Sequence, residues 1–128
     1  MWSGPPTTLN IFFANEVILA LQEFYRVLKP NGLVLITLPD IQAVAREVAE
    51  GRLEEPLYQS PAGPIAAIDI LWGHRDSINR GNYHMAHKTG FTLKALKKNL
   101  VLANFQKIKV KSVGWDLWAT AYKLRSNG

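Results

Sequence analysis

Apolar residues recur every three or four positions early in the chain, which predicts a helix over residues 15–28. The sequence Lys29-Pro30-Asn31-Gly32 then predicts a stop, because proline cannot extend a helix and Asn-Gly favours a tight turn. The continuous apolar run Leu33–Leu38 predicts a strand that is buried on both faces, as in a parallel sheet. Asp40 follows this run and is a candidate cap for a helix over residues 41–50.

The middle of the chain has no sustained hydrophobic period. Glycine, proline and asparagine recur there, which predicts a loop over residues 51–62, a short helix over 65–72 and an irregular segment over 74–90. A connection of this length is uncommon in a compact domain and usually has a functional role. We therefore expect a long irregular insertion at about residues 51–91 that contributes to a binding site.

Regular patterns return after the insertion. Leucines at helical spacing predict a helix over residues 92–103, with Thr92 as its cap. Apolar residues that alternate with lysines predict a strand over residues 105–113 with one face in solvent. A partner strand over residues 117–124 follows a turn at Gly114, and the alternation of helices and strands indicates the α/β class.

The composition fits one globular domain. The chain has 128 residues, of which 48% are hydrophobic and 20% are charged, and it contains no cysteine. The lack of cysteine excludes a disulfide scaffold, a thiolate metal site and a cysteine nucleophile. Because no apolar run is long enough to cross a bilayer and no secretory signal is recognisable, we expect a cytoplasmic protein. We predict a flexible leader over residues 1–10, which are rich in turn formers, and a single domain over residues 11–128.

Charge is distributed unevenly along the chain. Residues 1–74 contain four basic and eight acidic side chains, whereas residues 75–128 contain eleven basic and two acidic ones. A basic half is compatible with a solvated surface, an acidic partner or a nucleic acid. Nucleic-acid binding is the least favoured of the three, because no aromatic residues alternate with the lysines to stack on bases.

Candidate chemistry lies mainly in the insertion. His74, His84 and His87 fall within it, and imidazole can act as a general base near neutral pH. Their spacing, with no carboxylate beside the last two, makes a metal site less favoured than a hydrogen bond from one histidine that holds the loop in place. Tyr58 and Trp72 are open to two interpretations, core packing or the wall of a substrate pocket.

The segment from Leu21 to Asp40 resembles class I S-adenosylmethionine-dependent methyltransferases. A helix that ends in EFYRVLKPNG, followed by the strand LVLITLPD, is similar to the helix before the fifth strand of that family's seven-stranded Rossmann-like sheet and to the strand itself. Residues 92–105, 105–113 and 116–123 resemble the family's late helix, its sixth strand and its antiparallel seventh strand. The insertion resembles one found in a bacterial subgroup of these methyltransferases.

The resemblance implies a partial Rossmann-like sheet with strands in the order 5-7-6, flanking helices and S-adenosylmethionine as cofactor. In the family, the glycine-rich cofactor loop lies upstream of the part that this chain resembles. No two of the nine glycines lie two positions apart, so the loop pattern is absent and the cofactor-binding residues are unknown. We expect the C-terminal part of a methyltransferase that is inactive as an isolated chain.

The resemblance also implies where a small-molecule methyl acceptor would bind, namely after the fifth strand and in the insertion. We predict His87 as a catalytic residue, and as substrate-binding residues Asp40, Tyr58, Trp72, His74 and His84. For Asp40, capping of a helix is the stronger alternative.

Without its family neighbour, the strand Leu33–Leu38 would be an exposed apolar edge, which predicts a homodimer through this strand. The alternative function is a non-catalytic oligomerisation or interaction module whose basic half binds an acidic partner.

Overall fold

The computed structural model describes residues 14–83 and 86–124. Its elements, in chain order, are α1 (Ala14–Val27), β1 (Gly32–Pro39), α2 (Ile41–Ala49), β2 (Pro56–Ser60), β3 (Gly63–Ala66), α3 (Ala67–Trp72), α4 (Arg75–Asn79), α5 (Leu93–Leu102), β4 (Gln106–Val113) and β5 (Asp116–Lys123). This is a mixed α/β fold, as predicted. The predicted leader over residues 1–10 and the candidate residue His84 lie outside the described residues. Within those residues, no helix has the length and apolar character needed to cross a membrane.

Three strands form the main sheet, and the last of them along the chain lies in the middle. β5 pairs with β1 on one side and with β4 on the other, antiparallel to both. β4 and β5 form a hairpin whose turn contains Gly114 at a φ of 59°, as the sequence predicted. β1 and β4 therefore run parallel to each other on opposite sides of β5, and among the described strands β1 lies at one edge of the sheet.

The prediction that Leu33–Leu38 is buried on both faces is wrong. Val34, Ile36 and Leu38 are buried, whereas the side chains between them are only half-buried. The cause is that α1 and α5 supply the core on one face of the sheet, where their apolar stripes meet β1 and β5. The apolar run of β1, which pairs with an antiparallel neighbour, thus has one buried face and one face that is partly exposed to solvent.

The main core joins the two helices to that face of the sheet. Tyr25 on α1 and Phe105 beside β4 pack edge to face, with ring centroids 5.2 Å apart. The buried side chains are Val17, Leu21, Leu28, Val34, Ile36, Leu38, Phe91, Leu96, Leu100, Ala103, Phe105, Leu117, Ala119 and Ala121. The predicted cap of α5 is confirmed, because the Thr92 hydroxyl oxygen accepts a hydrogen bond from the Ala95 N–H at 3.2 Å.

The insertion is more regular than predicted. Residues 56–66 form an antiparallel hairpin of β2 and β3, not a loop, and a short helix, α4, interrupts the segment predicted to be irregular. The Ser60 hydroxyl closes the hairpin turn by donating to the Gly63 carbonyl at 2.8 Å and accepting from the Ala62 N–H at 3.2 Å. The turn-forming residues that suggested a loop therefore close a hairpin.

A second, smaller core holds the insertion at the carboxyl end of β1. Val44 of α2 is buried with Ala67 and Ile70 of α3, and Trp115 from the β4–β5 turn packs against them. The insertion thus lies over the turn that closes the main sheet.

Candidate functional site

Asp40 lies immediately after β1, at the end of the strand where open α/β sheets bind ligands. It is only 5% exposed, and one carboxylate oxygen accepts a hydrogen bond from the Gln42 N–H at 3.1 Å. Its other oxygen accepts the hydroxyl proton of Ser112 at the end of β4. The predicted capping of α2 by Asp40 is confirmed, while its role in substrate binding remains a prediction.

A groove of about 260 Å³ opens beside the start of α2. We call it the Trp72–His87 groove. Trp72, at the end of α3, is 63% exposed, and its carbonyl accepts a hydrogen bond from the His87 N–H at 3.0 Å. Two of the predicted site residues are thus brought together. The groove is lined by Ile41, Leu71, Trp72, His87, Lys88, Thr89 and Gly90.

The imidazole of His87 is held in one tautomer. Its Nδ1 lies 2.7 Å from the carbonyl oxygen of Ile70. A carbonyl oxygen can only accept, so Nδ1 carries the proton and Nε2 of the neutral ring carries the lone pair. Burial lowers the pKa of His87, and the hydrogen bond to Ile70 offsets part of that effect. His87 is therefore a neutral ring with a basic nitrogen at pH 7, and the expectation that one histidine holds the loop is confirmed.

His74 lies in a different place from His87. It precedes α4, with its Nδ1 3.0 Å from the Ser77 hydroxyl oxygen. It lines a separate, polar pocket of about 250 Å³ together with Pro64, Asp69, Arg75, Asp76 and Asn79. The structure therefore does not place His74 in the Trp72–His87 groove.

Asp69 organises this polar pocket, and it is not among the site residues that the sequence predicts. Its carboxylate is 6% exposed and accepts hydrogen bonds from the Ala66 N–H at 3.0 Å, the Arg75 N–H at 3.1 Å and the Arg75 Nε at 2.8 Å. Burial alone would raise the pKa of Asp69, but the bonds from Arg75 and from the backbone N–H groups hold it below its ordinary value. Asp69 thus fixes the turn between α3 and α4. A sequence signal existed, since an acidic residue in the first turn of a helix is a common N-terminal feature.

Tyr58 lies in a third location, on β2. Its side chain is partly exposed, and burial of the hydroxyl raises the pKa of Tyr58, with smaller contributions from the negative charges of Asp116 and Asp69. Burial also raises the pKa of Asp116, the first residue of β5. The predicted acceptor residues that the structure describes are thus distributed over separate positions around the insertion.

Metal binding finds no support in the described residues, which contain no group of three histidine, aspartate or glutamate side chains that could hold an ion.

No family model matches the chain, and the curated proteins give no significant match.

Proposed function

We propose that this chain forms the methyl-acceptor side of an S-adenosylmethionine-dependent methyltransferase fold. The observation that supports the proposal is the position of β5, which lies between β1 and β4 and antiparallel to both. A crossover from β1 through a helix usually places the next strand directly beside it. Here the last of the described strands is inserted between them, and this order corresponds to the 5-7-6 arrangement that the resemblance implies.

The described residues do not fit the cofactor itself. The junction between β1 and α2 is the single residue Asp40, so it contains no glycine that would let a backbone approach a ligand closely. The positive-φ glycines are separate turn residues, at Gly51, Gly63, Gly73, Gly81 and Gly114. The proposal therefore assigns cofactor binding to polypeptide outside the described residues.

The acceptor would bind in the Trp72–His87 groove. The exposed indole of Trp72 offers an apolar wall, and the lone pair on Nε2 of His87 can accept the proton that an O–H or N–H acceptor releases. The remaining contribution of such a site is alignment, since holding two reactants in line accounts for much of the rate gain in group transfer.

The open edge of β1, defined as the side of Leu33–Leu38 that faces away from β5, is where another strand can be added. The Asp40 N–H donates to the Trp115 carbonyl on the β5 side, and the Ile41 N–H donates to the Phe91 carbonyl on the other side. Because this direction alternates along a strand, the Thr37 N–H also points away from β5. Among the described residues, no strand pairs with this edge.

A reconstitution experiment tests the proposal. The N-terminal half of a class I methyltransferase, ending after its fourth strand, is fused to the start of this chain, and binding of S-adenosylhomocysteine is measured. We expect the fusion to bind more tightly than the N-terminal half alone, because the fourth strand can pair with the open edge of β1. Thr37→Pro removes an edge N–H and should abolish the gain, whereas Thr37→Ala, which keeps that N–H, should preserve it.

A second candidate is an oligomerisation module, and the same open edge favours it. Two copies that pair antiparallel through β1 would form a continuous six-stranded sheet and satisfy the N–H groups of both edges. The two candidates differ in what the N-terminal half does. Under the methyltransferase proposal it displaces the second copy and creates a cofactor site, whereas under the module proposal the dimer persists without cofactor binding.

A further inference from the structure

The face of the main sheet opposite α1 and α5 is an apolar surface that the described residues cover only in part. We call it the open face. Strand register defines it, because Leu35 pairs with Thr120 and Thr120 pairs with Lys109, so these three side chains form one row. The next row consists of Thr37, Trp118 and Lys111.

The open face has the shape of a shallow groove. Trp118 is 40% exposed at its centre, and Leu35 is half-buried beside it. The groove measures about 350 Å³ and is lined by Leu35, Lys109, Val110, Lys111, Trp118 and Thr120. The outer strands of a three-stranded sheet lie about 10 Å apart, which matches the diameter of about 10 Å of one α-helix with its side chains.

One side of this groove is positively charged. Lys109 and Lys111 are exposed on β4, and neither forms an ion pair with another described residue. Asp116, the first residue of β5, lies in the neighbouring row, where it pairs with Val113. The lysines therefore flank the apolar centre without a carboxylate in their own rows.

Charge complementarity distinguishes two possible occupants of the open face, a second copy of this chain and a helix of another protein. A second copy would bring the same two lysines and only one carboxylate, Asp116, so two copies are poorly matched. A helix with carboxylates along one flank matches both the width of the groove and the charge of β4. We propose that the open face binds one amphipathic helix of a partner protein, with its apolar stripe over Leu35 and Trp118 and its acidic residues beside Lys109 and Lys111. This inference does not depend on methyl transfer.

Selection from a displayed library of amphipathic helices tests the proposal. The library has a fixed leucine stripe and random charged or neutral residues on both flanks, and the full chain is the bait. We expect enrichment of helices with Asp and Glu on one flank, and their binding should weaken as salt is raised. Enrichment without acidic residues, or no enrichment at all, would overturn the proposal.

Matched charge reversals locate the binding surface. Lys109→Glu/Lys111→Glu should weaken a selected helix by about tenfold or more, because two attractive charge contacts become repulsive. Lys94→Glu/Lys98→Glu changes two exposed lysines of α5 by the same charge and should leave the affinity unchanged. Equal loss in both variants would show a general charge effect and contradict the proposal.

The apolar part of the contact has its own variant. Trp118→Thr should also weaken binding of the helix, while the unfolding midpoint of this variant shows whether the sheet is intact.

Vesicles that contain an anionic lipid provide a second probe of the same surface. Binding to these vesicles that is lost in Lys109→Glu/Lys111→Glu, with no helix selected, would overturn the proposal in favour of a membrane surface.

Discussion

The hydroxyl of Ser112 donates a hydrogen bond to the carboxylate of Asp40, although the two residues are 72 positions apart in the sequence. The other oxygen of Asp40 caps α2. One buried carboxylate therefore joins the end of β4, the end of β1 and the start of α2. The insertion packs against α2, and Ile41 at the start of α2 lines the Trp72–His87 groove. The position of the groove therefore depends on this junction.

Asp40→Ala should lower the free energy of unfolding by about 2 kcal/mol, because it removes a helix cap and leaves the Ser112 hydroxyl without its partner. Asp40→Asn keeps a capping oxygen and should cost less. Urea unfolding of the three proteins measures the difference. A change in Asp40→Ala below about 0.5 kcal/mol, the size of an ordinary surface substitution, would contradict this role.

Asp69 should make the free energy of unfolding decrease at acidic pH. Its folded-state pKa lies below its ordinary value, so the unfolded chain binds more protons in acid and stability rises with pH. The contribution is fully present above about pH 5, and it is lost as pH falls through the folded-state pKa. Urea unfolding at several pH values should show a smaller acid loss for Asp69→Asn than for the wild type. Identical pH profiles would contradict the assignment.

His87 should also make the free energy of unfolding fall as pH is lowered, but in a higher pH range than Asp69. Burial holds its folded-state pKa below the ordinary value, so the unfolded chain takes up the proton first as pH falls below about 6.5. Stability is therefore lost between that pH and the folded-state pKa. Proton NMR of the imidazole measures the pKa directly, and His87→Gln should remove this part of the pH dependence. A His87 pKa at or above its ordinary value would contradict the buried neutral ring.

The open edge of β1 predicts a homodimer that depends on backbone hydrogen bonds. Size-exclusion chromatography with light scattering should give twice the mass of one chain for the wild type and for Thr37→Ala. Thr37→Pro should give a monomer, because it removes an N–H on the open edge and leaves the bonds to β5 in place. A wild type that is monomeric at high concentration would reject the dimer.

Local signals in the sequence predicted much of the fold. The periodic apolar residues predicted α1 within one residue at each end, and Asp40 and Thr92 predicted two helix starts. The turn at Gly114 predicted the closing hairpin. These features depend on residues close in sequence, which is why a single sequence suffices to find them.

Long-range features were harder to predict. The apolar run of β1 does not show that its neighbour is antiparallel or that helices cover only one face. The hairpin of β2 and β3 depends on a side-chain bond from Ser60, which composition does not reveal. In the candidate site, the hydrogen bond from the His87 N–H to the Trp72 carbonyl and the separation of His74 from both residues depend on contacts between distant parts of the insertion. The acidic residue in the first turn of α3 is a local signal, but it does not show that Asp69 also binds Arg75.

The most direct test of the methyltransferase proposal is the dissociation constant of S-adenosylhomocysteine for the fusion that supplies the first four strands, measured by calorimetric titration. We expect micromolar binding by the fusion, at least about tenfold tighter than by the N-terminal half alone, and no binding by this chain alone. We also expect Thr37→Pro to remove the gain and Thr37→Ala to preserve it. Equal binding by the fusion and the N-terminal half would contradict the proposal, because these strands would then complete no cofactor-binding fold.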